Sequence, residues 1–152
     1  MTEVGFPPGT FAGVAAFYSI IHVPRSEQGP LLGRVGCWLC PGNVFVAAFG
    51  VLDVPGAYEQ DWLAARMFWS AYDAETGRGL VEKAGLWVEH AVVETAEEGG
   101  EPASFLRVAA RKPPGPATGR PAGTSSRDCM PLSVAAVRRP QVMRIVGRFR
   151  RE

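Results

Sequence analysis

The stretch Phe11–Pro24, FAGVAAFYSIIHVP, constrains the chain most. It starts as an unbroken apolar run with Phe11, Val14 and Phe17 as its large members. It turns polar at Tyr18 and Ser19 and ends at His22-Val23-Pro24. An apolar run of this length, with Pro-Gly before it and Pro after it, reads as a strand buried on both faces. Strands of that kind belong to parallel sheets. The polar end then lies at the C-terminal edge of the sheet, where open α/β folds bind their ligands.

The neighbouring residues supply the rest of a β-α-β unit. Ser26 is a candidate helix cap, with Gly29 and Pro30 in the first turn, where proline is tolerated. Leu31, Leu32, Val35, Trp38 and Leu39 recur at helical spacing. Pro41-Gly42-Asn43 ends the helix, and Val44–Phe49 is a second buried strand. Residues 51–72 read as an irregular, aromatic-rich loop. Asp73 or Ser70 caps a second helix that runs to about Ala84, with Gly85 at its end. Leu86–Thr95 and Ser104–Arg111 then form an antiparallel hairpin around the acidic turn Glu97–Pro102. The expected class is α/β: a partial doubly wound, Rossmann-like sheet of about four strands with its last strand antiparallel.

Composition divides the chain in two. Residues 1–112 carry 8 Lys/Arg against 13 Asp/Glu, a net of −5, and residues 113–152 carry 8 Arg against 2 acids, a net of +6. The second part opens with PPGPATGRPAGTSS, which is too poor in apolar surface to offset its ordering entropy, so a disordered tail is expected from residue 113. Within it, Val142, Ile145, Val146 and Phe149 stand between arginines. The apolar face is short and has no interleaved aromatics for base stacking. The expectation is a solvated tail, with no nucleic-acid and no membrane partner. No basic leader and no window of eighteen apolar residues occur, and the three cysteines are few and odd in number. These features suit a cytoplasmic protein without a disulfide scaffold. Cys37 and Cys40 form a C-x-x-C at a helix end rather than at the helix start where a redox thiol is activated. His22, His90 and Cys129 show no zinc-ligand spacing, so no metal site is expected.

The order of elements, together with WLCPG (38–42), DWLAARMFWSAY (61–72), residues 73–85 and FLRVAARKP (105–113), resembles a class I S-adenosylmethionine-dependent methyltransferase of a small bacterial branch. The similarity spans residues 1–112 and corresponds to the second half of such an enzyme: strands four to seven of a seven-stranded sheet, ordered four-five-seven-six. Asn43 stands where the family has the second glycine of Pro-Gly-Gly, and Ala12 stands where an acidic residue is usual. The resemblance supplies no counterpart of the family's glycine-rich loop or of the acid that binds the ribose hydroxyls. Two explanations are open: Met1 is an internal methionine of a longer protein, or the gene is truncated.

The resemblance implies S-adenosylmethionine as cofactor, passing beside Phe17, Tyr18 and Ser19, and methyl transfer to a small-molecule acceptor. Both are expected to be impaired in a chain without the cofactor-binding half. Methyl transfer mainly needs positioning of the acceptor in line with an already activated methyl group. His22 is the candidate base, since imidazole accepts protons near neutral pH. Trp62, Met67, Trp69 and Tyr72 are candidates for an acceptor pocket, where aromatic faces suit a cationic or flat substrate. The alternatives are that Tyr18 and His22 pack a sheet edge and that the aromatic residues pack a loop. The chain is then a non-catalytic remnant or an interaction module. In either case the outer edge of the first strand is left unpaired and open to self-association.

Overall fold

The computed structural model describes residues 4–62, 64–98 and 101–115. In chain order its elements are β1 (Phe11–Ala16), α1 (Arg25–Trp38), β2 (Leu39–Gly50), β3 (Val54–Trp62), β4 (Ala65–Ala71), α2 (Ala74–Lys83), β5 (Trp87–Glu98) and β6 (Glu101–Arg111). A short 3-10 turn, Ile20–His22, links β1 to α1. Four strands form one sheet in the order β1-β2-β6-β5. The β1–β2 pair is parallel, and the other two pairs are antiparallel. This is the partial doubly wound α/β sheet expected from the sequence.

Alternation along the strands sorts the side chains between two faces. Phe45, Ala47 and Phe49 of β2 and Leu106, Val108 and Ala110 of β6 are buried in one core with Leu32 and Val35 of α1 and Val81 of α2. Both helices therefore lie on the same side of the sheet. The helix contact is close at Gly36, where a Cβ would sit 2.6 Å from the carbonyl oxygen of Ala84. Asp73 caps α2, accepting from the Thr76 backbone N–H at 2.9 Å and from its hydroxyl at 2.8 Å. These two bonds, the backbone one first, hold the Asp73 carboxyl below the usual carboxylate range. Gly85, at φ 80°, takes the left-handed turn after the helix.

Several local expectations are corrected. Ser26 is not the cap: α1 begins at Arg25 behind Pro24, with no side-chain cap bond, and the Glu27 and Gln28 N–H groups donate to the Pro24 carbonyl. Proline's extended geometry sets the entry instead. Pro30 consequently lies inside the helix rather than in its first turn. β2 starts at Leu39 and carries Pro41-Gly42-Asn43 within it. The parallel register jumps from Phe11↔Leu39 to Gly13↔Val44, and Gly42 and Asn43 exchange backbone bonds with Lys112. The acidic segment is mostly ladder, paired as far as Glu98↔Glu101.

The largest correction concerns residues 51–72. They form a separate two-stranded antiparallel hairpin, β3–β4, with Tyr58↔Phe68 and Ala57↔Trp69 in register. The aromatic and alternating residues supply cross-strand pairs, including Tyr58 on Phe68 with ring centroids 5.1 Å apart. Beyond Gly115 the chain, including the expected tail and Cys129, lies outside the described residues.

Candidate functional site

β1 ends at Ala16, and the chain leaves the sheet through Phe17-Tyr18-Ser19 at the C-terminal end of the parallel pair. Phe17 is 50% exposed. Tyr18 has φ 52°, the left-handed region, which costs a bulky residue about 1–2 kcal/mol. Two contacts on β6 hold it there. Its ring meets Phe105 edge-on with centroids 4.9 Å apart, and its hydroxyl accepts from Arg107 Nη2 at 3.4 Å. Arg107 also donates to Glu94 of β5. The Tyr18 hydroxyl and then Glu94 raise the guanidinium's proton affinity above its ordinary value. Ser19 precedes the 3-10 turn and makes no side-chain cap bond.

His22 closes that turn against the hairpin. Its Nδ1 is 2.8 Å from the Phe68 carbonyl oxygen. A carbonyl only accepts, so Nδ1 carries a proton, and in the neutral ring the lone pair is therefore on Nε2. The Trp69 ring is tilted against the imidazole with centroids 4.6 Å apart. The neighbouring contacts form a buried polar network. Ser70 donates to the Val23 carbonyl at 2.6 Å, and Gln28 Nε2 donates to the same carbonyl at 2.9 Å and to Ser70 Oγ at 3.2 Å. Arg25 donates to the Ala71 carbonyl and pairs with Asp53, while its guanidinium lies 4.4 Å from the Tyr72 ring centroid. Gly50 admits this junction, because a Cβ there would sit 2.6 Å from the Ala71 Cβ. A small cleft at the junction is lined by Ile20, Gln28, Gly50, Ser70 and Tyr72.

The structure thus brings His22 and Trp69 together. Tyr18 belongs to a second cluster with Phe105 and Arg107. Met67 is half-buried on β4 opposite Glu59, the Tyr72 ring lies under Arg25, and the backbone of Trp62 pairs with Ala65 at the hairpin's tip. Sequence reading missed Arg25, Gln28, Ser70 and Arg107. Two of these left a signal. Gln28 stands with Leu31, Leu32 and Val35 at i, i+3, i+4 and i+7, a polar residue on a buried stripe. Arg107 and Arg111 alternate with apolar residues in FLRVAAR. Cys37 is an exposed free thiol near the end of α1, while Cys40 is buried in β2. Among the described residues no group of three His, Cys, Asp or Glu side chains is placed to hold a metal ion, and no helix is long and apolar enough to cross a membrane.

This sheet, with its parallel first pair and antiparallel last strand, matches part of the fold of solved S-adenosylmethionine-dependent methyltransferases. An S-adenosylmethionine-dependent methyltransferase from Methanosarcina mazei superposes with a TM-score of 0.62 at 12% identity, over 75% of this chain and 65% of the other. The 1,6-didemethyltoxoflavin-N1-methyltransferase of Burkholderia thailandensis, solved with S-adenosylhomocysteine, gives 0.55 at 16% identity over 74% and 48%. The cyclase SpnF gives 0.56 at 14% identity over 75% and 54%, so the fold by itself does not fix the reaction. The chain spans about half to two thirds of the length of these proteins. No protein-family profile matches it, and no curated protein matches it.

Proposed function

We propose that the chain corresponds to the C-terminal half of an S-adenosylmethionine-dependent methyltransferase acting on a small-molecule acceptor, with donor binding impaired in the 152-residue form. The observation that carries this reading is the His22 tautomer. A hydrogen bond from Nδ1 to a main-chain carbonyl fixes the tautomer in which, in the neutral ring, Nε2 is the atom that can accept a proton, beside an aromatic ring.

The residues fit the cofactor in part. Phe17, Tyr18 and Ser19 offer an exposed ring and hydroxyls where β1 ends, but residues 11–22 contain no carboxylate to accept from ribose hydroxyls. When bound, S-adenosylmethionine supplies a methyl group activated on a sulfonium. The chain's own residues do the rest. Met67 and Trp69 of β4 would form the acceptor side, with Tyr72 just beyond the end of β4 and Trp62 at the opposite end of the hairpin as its further candidates. His22 Nε2 would take the proton of an oxygen or nitrogen acceptor as the acceptor's lone pair bonds to the methyl carbon, the methyl–sulfur bond of the donor breaking with its electron pair left on the sulfur. The network of Arg25, Gln28 and Ser70 fixes the hairpin against the turn that carries His22.

Calorimetric titration of the chain with S-adenosylmethionine tests the donor side. Binding weaker than about 1 mM, near 4 kcal/mol, is expected; micromolar binding contradicts the impairment. Transfer of a labelled methyl group into a small-molecule extract at saturating donor tests the acceptor side. Transfer lost in His22→Gln supports the base. If His22→Gln leaves the transfer unchanged, the base assignment is wrong; if no transfer occurs at saturating donor, the non-catalytic interaction module becomes the better reading.

A further inference from the structure

Both helices cover one face of the sheet; on the other, Ala48 is buried where Tyr18 packs on Phe105 and Arg107, and the stretch toward Val44 is left more exposed. Register puts Ala15, Val44, Val46, Val92 and Ala109 on that open face, with Arg107 paired to Glu94 and Arg111 to Glu89 beside them. Val44 is 37% exposed and Trp87, at the corner, is 60% exposed. A sheet with parallel strands needs cover on both faces, and small side chains make this one shallow enough for a helix to approach closely.

We propose that the open face is covered by this chain's own residues 142–149, lying across it as an amphipathic segment. Three observations carry the proposal. The first is pattern. Val142, Ile145, Val146 and Phe149 stand at i, i+3, i+4 and i+7, one apolar stripe of two helical turns, with Arg144 and Arg148 between them. The second is charge. Residues 113–152 carry a net of +6 against −5 for residues 1–112, and β5 sets Glu89 and Glu94 on this face, where each is shared with one arginine of β6. The third is where the described chain stops. It leaves β6 through Lys112, whose backbone is bonded to Gly42 and Asn43 near the start of β2, and it is followed to Gly115. The 26 residues from 116 to 141 extend to about 90 Å at most, more than enough to return across the sheet. The solvated tail expected from composition is replaced, over these eight residues, by a bound one. The proposal does not rest on methyl transfer.

Hydrogen–deuterium exchange of the full 152-residue chain tests it. Amides of residues 143–149 are expected to exchange at least roughly tenfold more slowly than free-chain rates, and to return to free-chain rates in Phe149→Asp and in Val44→Arg. Val44 is exposed, so the second variant leaves the core untouched. Free-chain exchange in the wild type overturns the proposal. Protection that survives Val44→Arg also overturns it, since the segment then docks elsewhere. Protection that grows with protein concentration overturns it in favour of docking on a second copy.

Discussion

Two glycines three residues apart on α1 are expected to respond to alanine in opposite directions. Replacing glycine by alanine inside a helix gains about 1 kcal/mol, because the unfolded chain has less freedom to lose. At Gly33 a new Cβ meets nothing within 4 Å, so the full gain is expected. At Gly36 the new Cβ would lie 2.6 Å from the Ala84 carbonyl oxygen, a main-chain atom that yields only if α2 moves. Overpacking of this kind costs about 2–3 kcal/mol, which outweighs the propensity gain. Gly36→Ala should therefore lose about 1–2 kcal/mol net, and the two variants should differ by about 2–3 kcal/mol. For a domain of this size each kcal/mol moves the melting temperature by about 3–4 °C. Thermal unfolding followed by circular dichroism reads the difference. A Gly36→Ala variant melting at or above wild type, or a Gly33→Ala variant melting below it, refutes the reasoning that helix approach rather than propensity governs α1.

Ser70→Ala removes the hydroxyl that bonds Val23 and Gln28, and it should cost about 1–2 kcal/mol in urea unfolding and speed amide exchange in β4. Combined with Arg107→Gln it should act additively within about 0.5 kcal/mol, since the two side chains hold different parts of the Phe17–Pro24 segment. Asp73→Ala should lower the melting temperature at neutral pH. The Asp73 carboxyl is held below its ordinary value of 3.8, so its contribution is complete above that pH and fades as pH falls through the depressed value. The gap between variant and wild type should narrow there, and a gap independent of pH removes the charged cap as its cause. The unpaired edge of β1 is expected to associate with a second copy: sedimentation velocity should show concentration-dependent dimers that Ala15→Lys abolishes, and a wild type that stays monomeric at all concentrations refutes this.

The fold was legible where one signal governs one element. The uninterrupted run at Phe11 gave a strand, but an edge strand with no fully buried residue rather than one buried on both faces, because β1 pairs on one side only among the described residues. The leucine and valine stripe at 31–35 gave a helix, which stops at Trp38 so that Leu39 opens β2, and Asp73 announced its own cap. The hairpin β3–β4 was obscured because Pro55, Gly56 and two register irregularities interrupt the alternation, while its cross-strand pairs are visible only once the strands are aligned. Ser26 misled because the composition of a cap was present without its geometry, and Pro24 settled the entry two residues earlier. At the candidate site the residue types at 17–22 were readable, but their partners were not. A carbonyl such as that of Phe68 has no side-chain signature in sequence.

That last point bears on how the site is built. The segment Phe17–Pro24 takes its shape from distant strands. Tyr18 is held by Arg107, 89 residues on, His22 by Phe68, 46 residues on, and Val23 by Ser70, 47 residues on. Left to itself, Tyr18 would relax out of the left-handed region, and the imidazole would have no reason to prefer one tautomer. The two holds come from different places, β6 of the main sheet for Tyr18 and the separate β3–β4 hairpin for His22. A movement of the hairpin would therefore release the proposed base while leaving the residues at the end of β1 in place. In this fold the proposed base is held by the separate hairpin rather than by the main sheet, so a substitution that loosens one hold leaves the other in place.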